Sequence, residues 1–599
     1  MEPKKQSIYD LFANNNLYVI PCYQRKYEWD KSNCKQLLDD LLNAGAKNQP
    51  HLMGTIVLDQ SKTQPNTYFI IDGQQRLLTF YLLIKALSVT ATTKICMDDL
   101  DELRKMLYFN NDSNILKVKP IASDEKVLED IVKKNLINDK SNLVTNYNYF
   151  CNKIKERLQL YRGSQFIDGL KNLEGAVVFF NEDSNEDPQI VFEKINASGI
   201  KLALHDQIKN FMLICPDEKM MNEIYTNYWV KLEDQFKDLE NYSHLFDDFL
   251  INYFLYKIDG NIRQEGAYFS FTNYVSNNSK NHPDFKMQIL SEMIILAKYY
   301  LYFAFGCYDH NFNTDIHYPR IINAYLTWFK ILGQTTIYPF LFHLFKKSHE
   351  HDISDDILAK ILNFIFIYYV RRKLSNIASE PLTQLFKNLF KNVYFDSQGN
   401  SMITNSIDYY TFLVAYLTTN DAVDEENKYQ SDANVIDNLL KNKVNDPLAI
   451  KCLFLCLNYH NLIPECKELA YEDNKFKGWK EMQIEYIIPD NERNSVWKSY
   501  LKDQAFDFDW MFENGKLGLI GNLGIISSKN KNHTADDTFN KKQSFFQGCL
   551  YKNIYQFVIN YQGKWNLDAI NERSLLISSQ AVQLFKINDD VNDISLRKE

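Results

Sequence analysis

The chain has 599 residues, of which 45% are hydrophobic and 24% charged, with a formal net charge of −9. That length calls for roughly two to four domains with sizeable cores, and the composition excludes a disordered or fibrous protein. The negative balance also excludes a protein that coats nucleic acid over its whole surface, although it leaves room for a local basic groove.

No secretory pattern follows Met1-Glu2-Pro3-Lys4-Lys5. The most apolar stretches, 294–305 and 361–370, are too short or too interrupted to span a bilayer, so a cytoplasmic protein with no membrane partner is expected. The first elements read as α/β. Residues 17–21 form a short strand. Asp30 then caps a helix whose apolar positions Cys34, Leu37, Leu38, Leu41 and Leu42 keep helical spacing. Residues 51–59 and 68–71 read as strands around a Pro65-Asn66 turn.

The most informative run is FIIDGQQRLLTF, residues 69–80. A β-branched, apolar strand stops at Asp72-Gly73, and a helical pattern (Leu77, Leu78, Tyr81, Ile84) starts at once. A helix that opens on a glycine turn leaves backbone N–H groups free at its positive end, which suits an anion. Gln74, Gln75 and Arg76 fall in the first turn. Arg76 offers a planar fork for phosphate, and a glutamine beside a phosphate chain can orient an attacking water. Asp72 would repel bare phosphate, so it suits Mg²⁺ (or Mn²⁺) or a partnership with Arg76. The bland alternative is a polar cap on an ordinary strand-turn-helix.

Residues 97–170 are mostly helical, and GAVVFF (175–180) returns to a buried strand. Asp187-Pro188 then opens a helix on which Glu193 and Asn196 share a face, and Gly199 ends it. Asp206, Lys209 and Asn210 follow at i, i+3 and i+4 on the next helix. This polar corner suits a nucleotide or Mg²⁺, or simply pairs two helices. Residues 222–417 read as long helices rich in Tyr, Phe and Leu, and the acidic stretch 420–430 as a linker. The expected domains are therefore 1–221, 222–430 and 431–599. Cys452, Cys456 and His460 share a helical face; a packed helix is favoured there over a metal site. From Lys516 to Lys552 six lysines face only Asp536 and Asp537, the clearest basic island in the chain.

Three blocks in order carry a family resemblance. They are IPCYQRKYEW (residues 20–29), DGQQR, and FEKINASGIKLALHDQIKN (192–210). Together they resemble the N-terminal domain of the GmrSD-type, modification-dependent restriction endonucleases. The resemblance implies a ParB/sulfiredoxin-like α/β fold that binds and hydrolyses a nucleoside triphosphate. Asp72, Gln74, Gln75 and Arg76 would then be catalytic. Gly73, Glu193, Asn196, Asp206, Lys209 and Asn210 would bind the nucleotide, and Tyr23, Gln24 and Arg25 would sense DNA, including modified phage DNA.

Near the C-terminus, MQIEYIIP (482–489), LGLIGNL (517–523) and FNKK (539–542) resemble the HNH nuclease domain that ends such proteins. The implied fold class is α+β, predominantly helical. It comprises the ParB-like domain, an all-α middle and an HNH (ββα)-like end. The resemblance gives Glu485 and Asn540 as metal ligands, Asn532 as an alternative to Asn540, and Asn522 as a structural asparagine. The general-base histidine is replaced by Tyr486, a poor base near neutral pH; His533 lies nearby in sequence. The reading is therefore an anti-phage, NTP-hydrolysing DNA protein with impaired cleavage. The alternative is a non-nucleolytic DNA or nucleotide sensor that works with a companion protein, and a homo-oligomer is compatible with either.

Overall fold

The structure is a computed structural model. It describes the chain except residues 1–3, 23, 62–63, 135–139, 181–202, 214–217, 259–265, 281, 306–318, 379–380, 422, 471–475, 492–493, 529–536 and 588–599. The fold is α+β and predominantly helical. Two compact units are present: Met1–Asp247 with Tyr268–Leu290, and Asp248–Ala267 with Ser291–Glu599. Among the described residues no helix is long and apolar enough to cross a membrane.

The first unit is built on a six-stranded mixed sheet. Its strands are β1 (Lys4–Ser7), β2 (Leu17–Val19), β3 (His51–Gln60), β4 (Thr67–Asp72), β5 (Val118–Lys119) and β6 (Leu173–Phe180), in the spatial order β1-β6-β3-β4-β2-β5. β3 runs antiparallel to β4 and parallel to β6. Three helices set the scene for the site: α1 (Ile8–Ala13), α2 (Lys31–Lys47) and α3 (Gln74–Thr90). Asp30 caps α2 as its sequence requires, in a reciprocal box with Asn33. α3 has little amphipathic character because it is enclosed nearly all round. Leu77, Leu78, Phe80, Tyr81, Leu82, Leu83, Ile84 and Leu87 are all buried in the core.

The second unit joins long helices to a two-stranded antiparallel sheet, β7 (Met482–Tyr486) and β8 (Leu523–Ser527). Buried arginines hold its segments together. Arg371 donates to the carbonyls of Gln430 and Phe585 and pairs with Asp432. Arg573 donates to the carbonyls of Gly521, Leu523 and Ile554. These bonds satisfy buried backbone carbonyls in and between the elements they join. The stretch 420–430, expected as a linker, is instead docked. Arg372 donates to the Glu426 carbonyl, the Tyr368 hydroxyl to that of Asn427, and Tyr429 stacks under the Arg371 guanidinium. Its backbone carbonyls serve the buried arginines, while Asp421, Asp424, Glu425 and Glu426 remain exposed. Cys452 and Cys456 are fully buried in the Pro447–Tyr459 helix, so the packed alternative holds there.

His343 lies between the rings of Phe390, at 4.2 Å, and Tyr256, at 4.4 Å. Burial, then Lys346 and Lys257, push its pKa down to about 3 from the usual 6.5. The unfolded chain therefore binds a proton that the fold refuses, and this contribution is present above pH 6.5 and is lost as pH falls. About 1–2 kcal/mol should disappear by about pH 5. His343→Phe should flatten that part of the melting-temperature profile; an equally steep profile would refute the assignment.

Candidate nucleotide and DNA site

The site is assembled around the turn from β4 into α3. Gly73 caps α3 with φ of 90°, a left-handed conformation. A Cβ there would also meet the Thr55 carbonyl oxygen at 3.1 Å. No side chain caps the helix, so its first N–H groups face the turn unopposed by a carboxylate.

The three polar residues of the first turn do different things. Arg76 folds back onto β3 and donates to the Thr55 carbonyl. It fits there because β3 slips register between Leu52 and Thr55, and Gly54 (φ 100°) leaves room; a Cβ at 54 would sit 3.1 Å from the guanidinium carbon. Gln75 is spent on the loop after β2. Its Oε1 accepts from the Glu28 and Trp29 amides at 2.9 and 3.3 Å, and its Nε2 donates to the Lys26 carbonyl at 3.0 Å. Gln75 is thus a loop anchor in this state, and the water-orienting role expected of a glutamine falls more naturally to Gln74. Gln74 is 7% exposed, and among the described residues nothing donates to its Oε1. Leaving a buried acceptor unsatisfied costs about 1–3 kcal/mol, a penalty that a ligand donor would relieve.

The same loop carries Tyr23, Gln24 and Arg25, the residues expected to sense DNA. Gln24 donates to the Ile71 carbonyl at 3.0 Å, one residue before Asp72. Arg25 pairs with Glu28 at 3.3 Å, both exposed. Tyr27 is a core residue: it is buried, its hydroxyl lies 2.7 Å from that of Thr79, and its amide donates to Asp124. Trp29 packs on the same core. Tyr23 lies outside the described residues.

The Leu204–Leu213 helix carries the second cluster of expected site residues. Lys209 is nearly buried, paired with Glu233 at 3.3 Å and lying 5.4 Å from the centre of the Tyr225 ring. Asn210 is buried, and Asp206 is partly exposed. Tyr225 opens a π-helical turn, Tyr225–Trp229, a geometry often found at functional sites. Burial, then Glu233 and the Cys22 thiol, raise the Tyr225 phenol to about 12. Glu28 acts on Tyr242 in the same way, behind burial and the nearer carboxylates. Glu193 and Asn196, expected to complete the corner, lie outside the described residues.

One group escaped the sequence reading. His205 is buried, with its Nδ1 2.7 Å from Asp247 Oδ1, its Nε2 3.1 Å from the Tyr242 hydroxyl, and its ring stacked on Phe246. Asp247 also accepts from the Leu204 and His205 amides, which fixes the start of the helix that bears Asp206. A histidine directly before the Asp206 block was the only signal available.

At the other end of the chain, β7 is followed by two short helices (Ser495–Lys502 and Phe508–Glu513), then β8, then the Phe539–Gln547 helix. Asn522 accepts from the Ile488 amide and donates to the Ile488 and Leu517 carbonyls. Glu485 is paired with Lys542, whereas Asn540 is exposed. Asn540 sits two residues before Lys542, about 200° round the helix. It therefore does not converge with Glu485, and the expected Glu485–Asn540 metal pair is not formed. Lys542, counted in the basic island, is fully buried and adds nothing to the surface charge. Asn532 and His533 lie outside the described residues.

No curated protein matches the chain by sequence. Residues 8–213 match the family model described as GmrSD restriction endonuclease, N-terminal domain. That span covers β2, the sensing loop, the Asp72–Arg76 turn and the Asp206 helix, and its family points to a restriction-type function with DNA as partner. Over residues 8–213 the chain is therefore similar to the N-terminal domain of the GmrSD restriction endonucleases.

Proposed function

We propose that the first unit binds and hydrolyses a nucleoside triphosphate at the Asp72–Arg76 turn, and that this activity serves an anti-phage, DNA-directed role. The observation that carries the reading is Gln74. A buried amide oxygen without a donor sits at the uncapped, positive end of α3, beside an arginine. Phosphates would take the free N–H groups and the remaining Arg76 donors, while Gln74 Oε1 would accept from the attacking water. The cation that accompanies the nucleotide fits the donor set. Among the described residues no three His, Cys, Asp or Glu side chains converge. Mg²⁺ needs only one or two carboxylates beside phosphate and water oxygens, and Asp72 supplies one. When bound, Mg²⁺ neutralises charge on the transferred phosphoryl group.

The Gln75 anchor gives the sensing loop a direct mechanical link to this site. DNA engaged by Gln24 and Arg25 would move the segment that Gln75 holds, and so the start of α3. Phosphate release from the four common nucleoside triphosphates, with Mg²⁺ or Mn²⁺ and with and without duplex DNA, tests the reading; release from none of them would end it. In the second unit, Tyr486 in place of the base leaves DNA cleavage impaired. The second reading, a DNA or nucleotide sensor acting through a separate effector, is favoured by that same substitution.

Asp206 is partly exposed in the first turn of the Leu204–Leu213 helix. Asp206→Ala should weaken binding of a fluorescent nucleotide by about tenfold, or 1.4 kcal/mol, and leave the circular dichroism spectrum unchanged. Unfolding without a separable loss of binding would make the residue structural instead.

A further inference from the structure

Residues 26–29 belong to no regular element, yet side chains from neighbouring helices serve most of their backbone polar groups. Gln75 on α3 holds Lys26, Glu28 and Trp29, and Asp124 accepts from the Tyr27 amide at 2.8 Å. On the Asn142–Arg157 helix, Asn142 donates to the Glu28 carbonyl at 3.1 Å and Asn146 to the Trp29 carbonyl at 2.8 Å. A chain of buried hydrogen bonds then joins the two helices. Asn146 Nδ2 also donates to the Tyr27 hydroxyl at 3.1 Å. The Tyr27 and Thr79 hydroxyls lie 2.7 Å apart, and Thr79 gives its one hydrogen to the Gln75 carbonyl at 2.7 Å. Tyr27 is therefore the donor to Thr79, and burial keeps its phenol protonated for that purpose. Gln75 and Thr79 stand four residues apart, as do Asn142 and Asn146, so each helix turns one face to the loop.

We propose that Tyr27, Thr79, Asn142 and Asn146 are positioning residues: they hold the 26–29 loop as a preformed support for the first turn of α3, and so fix the frame from which Gln74 addresses the attacking water. The proposal rests on the nucleotide reading of that turn. Gln75 follows Gln74 directly, so whatever fixes the loop under Gln75 fixes the start of the helix. Asn146 argues for position over bulk stability. It is 0% exposed, and among the described residues its Oδ1 has no donor. An apolar side chain would avoid that buried, unsatisfied acceptor, but it could not hold Trp29 and Tyr27.

The test is limited trypsin digestion of the full-length protein, because Arg25 and Lys26 are exposed beside the held segment. Relative to cleavage elsewhere in the chain, cleavage there should be about fivefold faster in Thr79→Val and in Asn142→Ala than in wild type, since each loses a bond that keeps the loop closed. Thr79→Ser keeps the hydroxyl and should restore the wild-type rate. Asn142 is exposed, so Asn142→Ala carries the test if Thr79→Val does not fold. Unchanged cleavage in Asn142→Ala, or in a folded Thr79→Val, overturns the proposal. In phosphate release both variants should lower kcat by about fivefold and leave KM within about twofold, because Gln74 orients water whereas the N–H groups and Arg76 hold phosphate. A wild-type kcat in a variant whose loop is released, or a raised KM alone, overturns the coupling to the site. If wild type releases no phosphate, the nucleotide reading fails, and trypsin cleavage alone decides whether these residues hold the loop.

Discussion

Arg76→Ala should lower phosphate release by roughly ten- to a hundredfold at saturating Mg²⁺. The change removes charge-assisted bonds to a phosphate, each worth about 1.5–3 kcal/mol, and a factor of ten corresponds to about 1.4 kcal/mol. Arg76 also donates to the Thr55 carbonyl at the β3 irregularity, so the variant loses a structural bond as well. Arg76→Lys separates the two roles. A lysine restores a positive charge but not the fork, so it should recover part of the nucleotide affinity and little of the rate. Equal rates in wild type and Arg76→Ala would remove Arg76 from the chemistry.

The second large effect concerns cleavage. Loss of a general base usually lowers a rate by about 10²–10⁴-fold, so supercoiled plasmid with Mg²⁺ or Mn²⁺ should remain essentially uncut by wild type. From the sequence, a histidine at 486 is the obvious repair. Tyr486→His should therefore raise the open-circular fraction above that of wild type. Robust nicking by wild type that vanishes in Glu485→Ala would show that another residue supplies the base and that Glu485 does hold metal.

Much of the first unit was legible because its signals are local. Asp30 before a 3.6-residue pattern gives a capped helix, and a β-branched run ending at Asp-Gly gives β4 and α3 with the turn in place. What the sequence does not carry is partnership across space. Gln74 and Gln75 are neighbours of one chemical type, yet one is buried without a donor and the other is bonded to a loop some 46 to 49 residues away. Lys541 and Lys542 are likewise adjacent. The first is exposed near Asp537, and the second is buried against Glu485, because successive helix positions differ by about 100°. The acidic stretch 420–430 has a linker's composition and a packed segment's role, decided by arginines more than fifty residues upstream.

Whether nucleotide chemistry resides at the Asp72–Arg76 turn while DNA stays uncut is decided by following phosphate release and plasmid nicking in one reaction, with each nucleoside triphosphate in turn, for wild type and Gln74→Leu. Phosphate release by wild type on intact supercoiled DNA, with loss of release in a folded Gln74→Leu, is the predicted result. Nicking without phosphate release, or release that Gln74→Leu leaves unchanged, would contradict it.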